Sequence, residues 1–269
     1  MRARVRIVSF VASLLIAAAA NAQRADRVLL EDMTWPEVAT AINAGKTTII
    51  IPIGGTEQNG PHMVLGKHNV RVKILAERIA LVLGNALVAP VIAYVPEGSI
   101  DPPSGHMRFA GTISVPDRAF ESVLEGAARS FKRHGFRDIV FLGDHGDYQK
   151  NEQAVAARLN REWSGTPTRA HAIVDYYTLT QTRYRDLLHR RGFRDDEIGT
   201  HAGLADTSLA LAVAPSLVHE NRLEAAAVDA EKNGVHGDPR RSSAELGNLG
   251  VDVIVTETAN EIRNAVKRR

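Results

Sequence analysis

The sequence predicts an α/β fold, in which an open and mostly parallel β-sheet carries helices on both faces. Short apolar runs alternate with longer segments of helical periodicity along the 269 residues, an order typical of parallel sheets whose strands are joined by helices. The apolar runs are continuous, as in strands that are covered on both faces. Because no internal repeat or linker interrupts the pattern, we expect residues 23–269 to form a single domain.

The first half of the predicted domain begins with a helix and continues through two strands. Thr34 can cap this helix, Pro36 suits its first turn, and Gly45 ends it. The β-branched run TTIIIPI indicates the first strand. The elements predicted after the first helix are a strand over 47–53, a glycine-rich loop over 54–66, a helix over 68–83, a strand over 86–95 and a loop over 96–111.

The second half continues the same alternation. Pro116 opens a helix that ends at Gly135, and DIVFL, residues 138–142, indicates a third buried strand. The elements predicted after it are a loop over 143–147, a helix to about residue 163, a strand over 170–177, an Arg-rich and helical stretch to residue 199, a helix over 203–213 and a mostly helical end from residue 242. A break is expected at Gly247–Gly250, because glycine weakens a helix.

Composition excludes several classes of function. Lys and Arg total 33 against 31 Asp and Glu, which argues against a protein that binds nucleic acid. The chain has no cysteine, so thiolate nucleophiles and Cys-ligated zinc are excluded, and His, Asp and Glu must supply any metal ligands. Neither a G-x-S-x-G motif nor a phosphate-binding glycine motif is present.

The first 22 residues have the pattern of a bacterial secretory signal. Three arginines precede the apolar run 7–20, and Ala20-Asn21-Ala22 fits a signal-peptidase site before Gln23. The apolar run is short for a membrane span, which needs roughly 20 residues. We therefore expect a secreted protein, in the bacterial periplasm, with no membrane attachment after cleavage.

Candidate ligands concentrate at one edge of the predicted sheet. Sites in open α/β sheets lie beyond the carboxyl ends of the strands. Five of the ten histidines fall in glycine-flanked segments near that edge, namely His62, His68, His106, His145 and His201. We expect the other five to be structural.

Two acidic motifs follow buried strands directly. Glu57 lies in the glycine loop after the first strand, where a carboxylate can bind a cation, although it can also cap the next helix. The segment Asp144-His145-Gly146-Asp147 follows the third strand, and a His and an acid two residues apart can point into one pocket. The alternative for Asp147 is capping of the following helix.

Taken together, four segments resemble the creatininase (creatinine amidohydrolase) family. They are IPIGGTEQNGPHMVLGKHN (51–69), SGHMRFAGTISV (104–115), FLGDHGDYQKN (141–151) and GTHAGLADTSLALAVAP (199–215). The opening TWPEV (34–38) matches as well. The resemblance implies a three-layer α/β/α sandwich, hydrolysis of a cyclic or linear amide at a site with one or two divalent metals, and assembly into a hexamer.

The metal-ligand motif departs from the family pattern at three positions. Asn59 stands where the family has a ligand His, His68 where it has an Asp that bridges two metals, and Asp147 where it can have Glu. The amide oxygen of Asn is a poor zinc ligand. An imidazole presents one lone pair to one metal, so His68 cannot bridge two ions. The number of imidazoles in the motif is nevertheless unchanged, because one is lost at Asn59 and one is gained at His68.

The resemblance implies the metal ligands Glu57, His68, His145 and Asp147. We expect one ion of Zn or Mn per chain, with a position left open for water. A two-metal site with altered ligands and a protein without metal are the alternatives. The Arg-rich segment 182–194 suggests a pocket different from that of the family, with arginines that recognise a carboxylate as one hypothesis.

His201 and Asp206 are the predicted catalytic residues. The family's catalytic His is kept as His201, whose unperturbed pKa suits proton transfer to a leaving nitrogen. Asp206 stands where Glu is usual, and it can orient His201 or act as an extra ligand. His62 and His106 are expected to shape the pocket or to lock the glycine loops.

Three functions remain open from the sequence. The first is a secreted, metal-dependent hydrolase acting on the C–N bond of a small amide, assembled as a homo-oligomer. The second is a catalytically inactive periplasmic binding or scaffold protein with the same fold. The third is hydrolysis of a lactone or another ester at the same site.

Overall fold

A computed structural model describes residues 27–268 of the chain. The predicted export signal lies outside these residues. The sheet has four parallel strands, β1 (Thr48–Ile53), β2 (Ala86–Val88), β3 (Asp138–Gly143) and β4 (Arg169–Ala172), in the order β2-β1-β3-β4. No helix among the described residues combines the length and the hydrophobicity that a membrane span requires.

Ten α-helices surround or follow the strands in the described part of the chain. They are α1 (Trp35–Asn43), α2 (Lys67–Leu83), α3 (Asp117–Arg133), α4 (Gln149–Glu162), α5 (Asp175–Gln181), α6 (Arg183–Arg190), α7 (Asp195–Ile198), α8 (Leu204–Val213), α9 (Leu223–Val228) and α10 (Ala244–Lys267). Short 3₁₀ turns add Leu30–Asp32, Gly105–Arg108, Pro215–Leu217, Glu220–Arg222 and Pro239–Arg241.

The strands divide the apolar core into two layers, one on each face of the sheet. Successive side chains of a strand point to opposite faces. Ile50 and Val140 accordingly pack with α2 and α10 on one face. Ile49 and Ile139 pack with α3 and α4 on the other face. This arrangement confirms the predicted α/β/α sandwich, and it explains why the strand sequences are apolar throughout.

The predicted boundaries of the first and third strands are close to the observed ones, but the second strand is shorter. It pairs with β1 only to Val88, because Pro90 has no N–H group for the ladder. The chain then continues along the same edge, where Ile92 makes an isolated bridge to Ile53. This course carries the loop after β2 to the carboxyl end of the sheet.

The predicted end of the fourth strand is wrong. The chain leaves the sheet after Ala172 and begins α5 at Asp175, an acid in the first helical turn. Tyr176 and Leu179 of α5 are buried three residues apart, so the apolar residues that resembled strand are one face of a helix. Short apolar runs carry this ambiguity.

The predicted break in the last helix is also wrong, because α10 is continuous from Ala244 to Lys267. Its glycines lie against neighbouring helices rather than at a turn. A Cβ at Gly247 would overlap the backbone oxygen of Ser208 in α8, and one at Gly250 would lie 2.8 Å from Leu209 and from Tyr184. The glycines thus permit α10 to approach α8 closely.

Candidate metal centre

Glu57 lies at the centre of a histidine cluster beyond the carboxyl end of β1. The loop from Gly54 folds back on itself, and the Glu57 N–H donates to the Leu65 carbonyl at 3.2 Å. The Glu57 side chain is completely buried. The imidazole nitrogens nearest to its carboxylate oxygens are Nε2 of His68 at 2.7 Å, Nε2 of His106 at 3.1 Å, Nε2 of His145 at 3.4 Å and Nδ1 of His201 at 3.7 Å.

Each histidine of the cluster comes from a different part of the chain. His68 is the second residue of α2, and His145 lies in the loop after β3. His106 belongs to the 3₁₀ turn Gly105–Arg108, and His201 precedes α8. The parallel sheet brings these segments to one edge because all of its strands end there.

Asp144 fixes the orientation of His68. The carboxylate of Asp144 can only accept, so Nδ1 of His68 donates to it at 2.6 Å and Nε2 faces Glu57. Arg71 Nε donates to Asp144 at 2.9 Å, and the Tyr176 hydroxyl donates at 2.6 Å. A carboxylate behind a histidine in this way is typical of metal sites, where it directs the other ring nitrogen to the metal.

Three overlapping groups of side chains can hold a metal ion in the described part of the chain. They are Glu57–His68–His145, Glu57–His106–His201 and Glu97–His145–Asp147, and the ligand atoms within each group lie within 4.8 Å of one another. Imidazole nitrogen and carboxylate oxygen are ligands that suit Zn and Mn. The donor chemistry therefore fits a divalent metal.

The predicted ligands fall into two of these groups. Glu57, His68 and His145 lie together, whereas Asp147 is exposed and joins His145 and Glu97 in the third group. Asn59 is buried but donates its amide N–H groups to the backbone oxygens of Glu57 and Val64. This residue, which replaces a family ligand, supports the loop.

Glu97 is a site residue that sequence reasoning missed. It lies in the loop after β2 and is only 1% exposed, and neither of its carboxylate oxygens has a hydrogen-bond partner among the residues that the structure describes. Burial raises the pKa of Glu97 to about 8 against the opposing charge of His145. Its position after a strand, on the same edge as Glu57, was the available signal.

His201 and Asp206 lie next to one another in space without a direct hydrogen bond between their side chains in the structure. His201 Nε2 lies 3.0 Å from the backbone oxygen of Gln58. Asp206 accepts from Lys67 Nζ at 2.6 Å, from Arg71 Nη1 at 2.5 Å and from the backbone N–H of Ala202 at 3.0 Å. None of the metal-ligand groups found among residues 27–268 includes Asp206.

The other two glycine-loop histidines have different surroundings. His62 is completely buried, and its Nε2 lies 3.0 Å from the Thr207 hydroxyl, away from the cluster. Burial lowers the pKa of His62 to about 4. His106 is part of the cluster itself, and its Nδ1 lies 3.0 Å from the amide nitrogen of Gln58.

Burial and charge compete within the cluster. Burial would raise the pKa of Glu57, but hydrogen bonds from His145 and His68 hold it well below its usual value. Burial would lower the pKa of His145, yet Glu57 raises it to about 9. Burial and the charge of Lys67 lower the pKa of His201 to about 3. Glu57 is therefore a carboxylate and His201 a neutral imidazole at neutral pH.

The arginines of the Arg-rich segment do not line the cavity beside the cluster. Its arginines pair with surface acids, as in Arg183 with Glu257 at 3.2 Å and Arg185 with Asp195 at 2.5 Å. These pairs argue against the hypothesis that they recognise a substrate carboxylate. The cavity beside the cluster is lined by residues of α2, α5, α6 and α8 and by the loop before α8, and these residues include Lys67, Tyr177, Gln181, Tyr184 and Thr200.

Comparison with known proteins finds relatives along most of the chain. The family model "Creatininase: Creatinine amidohydrolase" matches residues 31–262. The creatinine amidohydrolase of Pseudomonas putida is 26% identical over 255 residues, which are 88% of this chain and 96% of that protein. The 3-dehydro-scyllo-inosose hydrolase of Thermotoga maritima is 28% identical over 223 residues, 79% of this chain and 63% of that protein. A solved structure named "Creatininase Mn" has a TM-score of 0.72 and 25% identity over 89% of this chain and 98% of its own.

Proposed function

The chain belongs to the creatininase family of metal-dependent amide hydrolases, and on that premise we propose that it hydrolyses the C–N bond of a small cyclic or linear amide. The observation that carries the proposal is the completely buried Glu57, whose carboxylate faces four imidazole nitrogens at 2.7–3.7 Å. A buried carboxylate among imidazoles is costly unless a cation or protons compensate its charge.

We propose Glu57, His68 and His145 as ligands of the ion. A bound divalent metal would lower the pKa of a water and polarise the amide carbonyl. Because Asp144 holds the proton of His68 on Nδ1, Nε2 is the ring nitrogen available for the metal, which would replace the proton shared with Glu57. Zn and Mn both suit this ligand set.

His201 is the proposed proton-transfer residue. A backbone carbonyl can only accept, so the 3.0 Å contact with Gln58 places the proton of the neutral ring on Nε2. Nδ1 then keeps its lone pair and faces the cluster, 3.7 Å from Glu57. In this tautomer Nδ1 can accept a proton from a water at the cluster and return it to the leaving nitrogen of the amide.

Asp206 is proposed to position His201 through the backbone. Ala202 follows His201 with a φ of +55°, a conformation that L-residues rarely adopt. The Ala202 N–H donates to Asp206, which is itself held by Lys67 and Arg71. Arg71 also binds Asp144, so one guanidinium links the support of His68 with the support of His201.

The direct test is the Glu57→Gln variant of the mature protein. Gln keeps the shape of the side chain but removes the charge that attracts the ion, so the variant is expected to lose both the bound metal and the hydrolysis of amides. Metal content is measured by elemental analysis, and activity with a panel of cyclic and linear amides.

Glu152→Gln is the matched control, because Glu152 is also completely buried but lies in no metal-ligand group found in the described residues. It is expected to keep metal and activity. A Glu57→Gln protein that folds and retains its metal would overturn the proposal.

Export of the protein is also proposed, on the pattern of residues 1–22. The test is N-terminal sequencing of the protein recovered from the periplasm of a Gram-negative host. A mature chain beginning at Gln23 is expected, and a chain that remains in the cytoplasm with Met1 would contradict it.

A further inference from the structure

The side chain of Gln58 has a fixed orientation beside the metal cluster. It is 6% exposed, and its Oε1 accepts a hydrogen bond from the Gly60 N–H at 2.9 Å. Its Nε2 donates to the Gly234 carbonyl at 2.9 Å. Gly234 has a φ of +68°, and a Cβ there would lie 2.5 Å from Nε2 of Gln58. A backbone donor at one end of the amide and a backbone acceptor at the other therefore identify its oxygen and its nitrogen.

The second N–H of the Gln58 amide has two ring nitrogens within reach. Nδ1 of His106 lies at 3.0 Å and Nε2 of His201 at 3.1 Å. Nε2 of His201 carries a proton, because it lies 3.0 Å from the backbone oxygen of Gln58, which can only accept. Nδ1 of His106 is therefore the acceptor of the amide N–H. His106 is then a neutral imidazole whose own proton is on Nε2.

The protonated Nε2 of His106 faces the cluster, and no described residue accepts its proton. Nε2 lies 3.1 Å from Oε2 of Glu57, but that oxygen has no hydrogen-bond partner among residues 27–268. The His106 side chain is 21% exposed, against 4–11% for the other three imidazoles of the cluster. The N–H group is thus open to a small molecule at the metal centre.

His68 and His106 are oriented by partners of opposite kind. Asp144 can only accept, so it holds the His68 proton on Nδ1 and presents the lone pair of Nε2 to the cluster. The Gln58 amide donates, so it occupies the lone pair on Nδ1 of His106 and leaves the proton on Nε2. A protonated ring nitrogen has no lone pair for a metal. One imidazole beside Glu57 is therefore a ligand and the other is a hydrogen-bond donor.

We propose that Gln58 holds His106 as an N–H donor, which keeps His106 out of the metal's ligands and directs it to the carbonyl oxygen of the substrate amide. The inference rests on the proposed function. When water adds to the amide carbon, the C=O bond opens to an oxyanion, and a preorganised N–H donor stabilises the charge that develops there.

His106 transfers no proton in this step. The proton of the water moves through His201 to the leaving nitrogen as the C–N bond breaks. The ring centroids of His106 and His201 are 4.5 Å apart, so one small substrate can contact both. The two imidazoles thus divide the work between a donor to the oxygen and a carrier of the proton.

The first experiment counts the histidines bound to Mn²⁺ in the mature protein by pulsed electron paramagnetic resonance. We expect two coordinated imidazoles in wild type, those of His68 and His145. Gln58→Met removes the N–H donor at nearly constant size, so the proton of His106 can move to Nδ1 and Nε2 can bind the ion. We expect a third coordinated imidazole in this variant.

Gln149→Met is the matched control. Gln149 is also a buried amide near the cluster, but its Nε2 donates to the backbone oxygens of Gly143 and His145 rather than to a ring nitrogen. This variant is expected to keep two coordinated imidazoles. A coordinated imidazole that is lost in His106→Gln, or an unchanged count in a folded Gln58→Met protein, would overturn the role of Gln58.

His106→Leu and His106→Gln test the donor itself, and they serve if Gln58→Met fails to fold. Both variants are expected to bind Mn²⁺ as wild type does. In His106→Leu, kcat for an amide that wild type hydrolyses is expected to fall by about 100–1,000-fold with KM little changed, as for the loss of one oxyanion donor. His106→Gln keeps an N–H donor and is expected to retain more activity than His106→Leu.

A merely structural role of His106 would lower kcat equally in the two variants. Equal kcat values in His106→Leu and His106→Gln, or in His106→Leu and wild type, would therefore overturn the donor role and leave the proposed function intact. A wild-type protein that binds no ion would remove both.

Discussion

At the scale of single residues, the hydrogen bond between Asp144 and His68 decides which ring nitrogen is available to a metal. The interaction joins residues 76 positions apart, and it is buried together with Arg71 and Tyr176. The same carboxylate therefore orients a ligand and neutralises a buried guanidinium. Replacing Asp144 with Asn, which is neutral and has the same shape, tests the effect of the charge alone.

Asp144→Asn is predicted to weaken metal binding. The amide lacks the charge that favours Nδ1–H on His68, and loss of such a partner typically costs about 10–100-fold in metal affinity. Affinity is measured by competition with a chelating dye. Asp138→Asn is the matched control. Asp138 is equally buried, and its carboxylate also lies beside a histidine, 3.0 Å from Nε2 of His171. Asp138 is the first residue of β3, however, and therefore lies far from the site, which is at the other end of the strand. Equal affinities in the two variants would contradict the prediction.

Glu152 gives a prediction about pH. Burial raises the pKa of Glu152 well above its usual value, so the folded state keeps a proton that the unfolded state loses above about pH 4.3. The free energy of unfolding of the wild type therefore falls as pH rises from there toward the folded pKa. Glu152→Gln carries no such proton, and both proteins present a neutral group at pH 4.

The stability difference between Glu152→Gln and wild type is thus expected to grow with pH, by about 1.4 kcal/mol per pH unit. Urea unfolding at pH 4.5, 5.5 and 6.5 measures it. A difference that does not change over this range would show that Glu152 is ionised in the folded protein.

At the scale of secondary structure, close packing between helices explains why the helix break predicted at Gly247–Gly250 is wrong. Glycine in a helix interior costs about 1 kcal/mol relative to alanine, so Gly247 and Gly250 indicate a break. The structure places both on a continuous α10, at its contact with α8 and α6. The two glycines are needed at this contact because they lack a side chain. Local helix propensity does not reveal such a need.

Gly247→Ala is predicted to destabilise the protein, although alanine favours a helix. The added Cβ would overlap the Ser208 backbone, and overpacking of this kind costs about 1–3 kcal/mol. Gly126→Ala in α3 is the matched control, because a Cβ there meets nothing within 4 Å, and it is expected to gain about 1 kcal/mol. Thermal unfolding of both variants measures the difference. A stabilised Gly247→Ala protein would contradict this account of the α8–α10 contact.

The candidate site could be predicted from the sequence only where ligands follow strands. Glu57 and His145 come directly after β1 and β3, so the sheet topology alone brings them together. Glu97 also follows a strand, but its significance depends on lacking hydrogen bonds, which the sequence does not display. The link between Asp206 and His201 runs through the backbone of Ala202, and a contact of that kind has no sequence pattern.

At the scale of the whole molecule, the alternation of strands and helices predicts the sandwich because each strand is covered on both faces. The predicted end of the fourth strand is wrong because a short apolar run, residues 173–177, fits either a strand or a helix. Family membership extends the prediction to metal-dependent amide hydrolysis, while assembly into a hexamer remains a proposal that the mass of the particle in solution tests. The site itself is built from loops at one sheet edge, so its composition can vary without changing the fold.

The central claim is that Glu57 and its surrounding histidines hold a divalent metal. Crystals of the mature protein loaded with manganese, measured on both sides of the manganese absorption edge, test it most directly. We expect an anomalous peak within bonding distance of a Glu57 carboxylate oxygen and of at least two of the imidazole nitrogens that face it. A structure of the loaded protein with no peak beside Glu57, in which His68 still donates to that carboxylate, would contradict it.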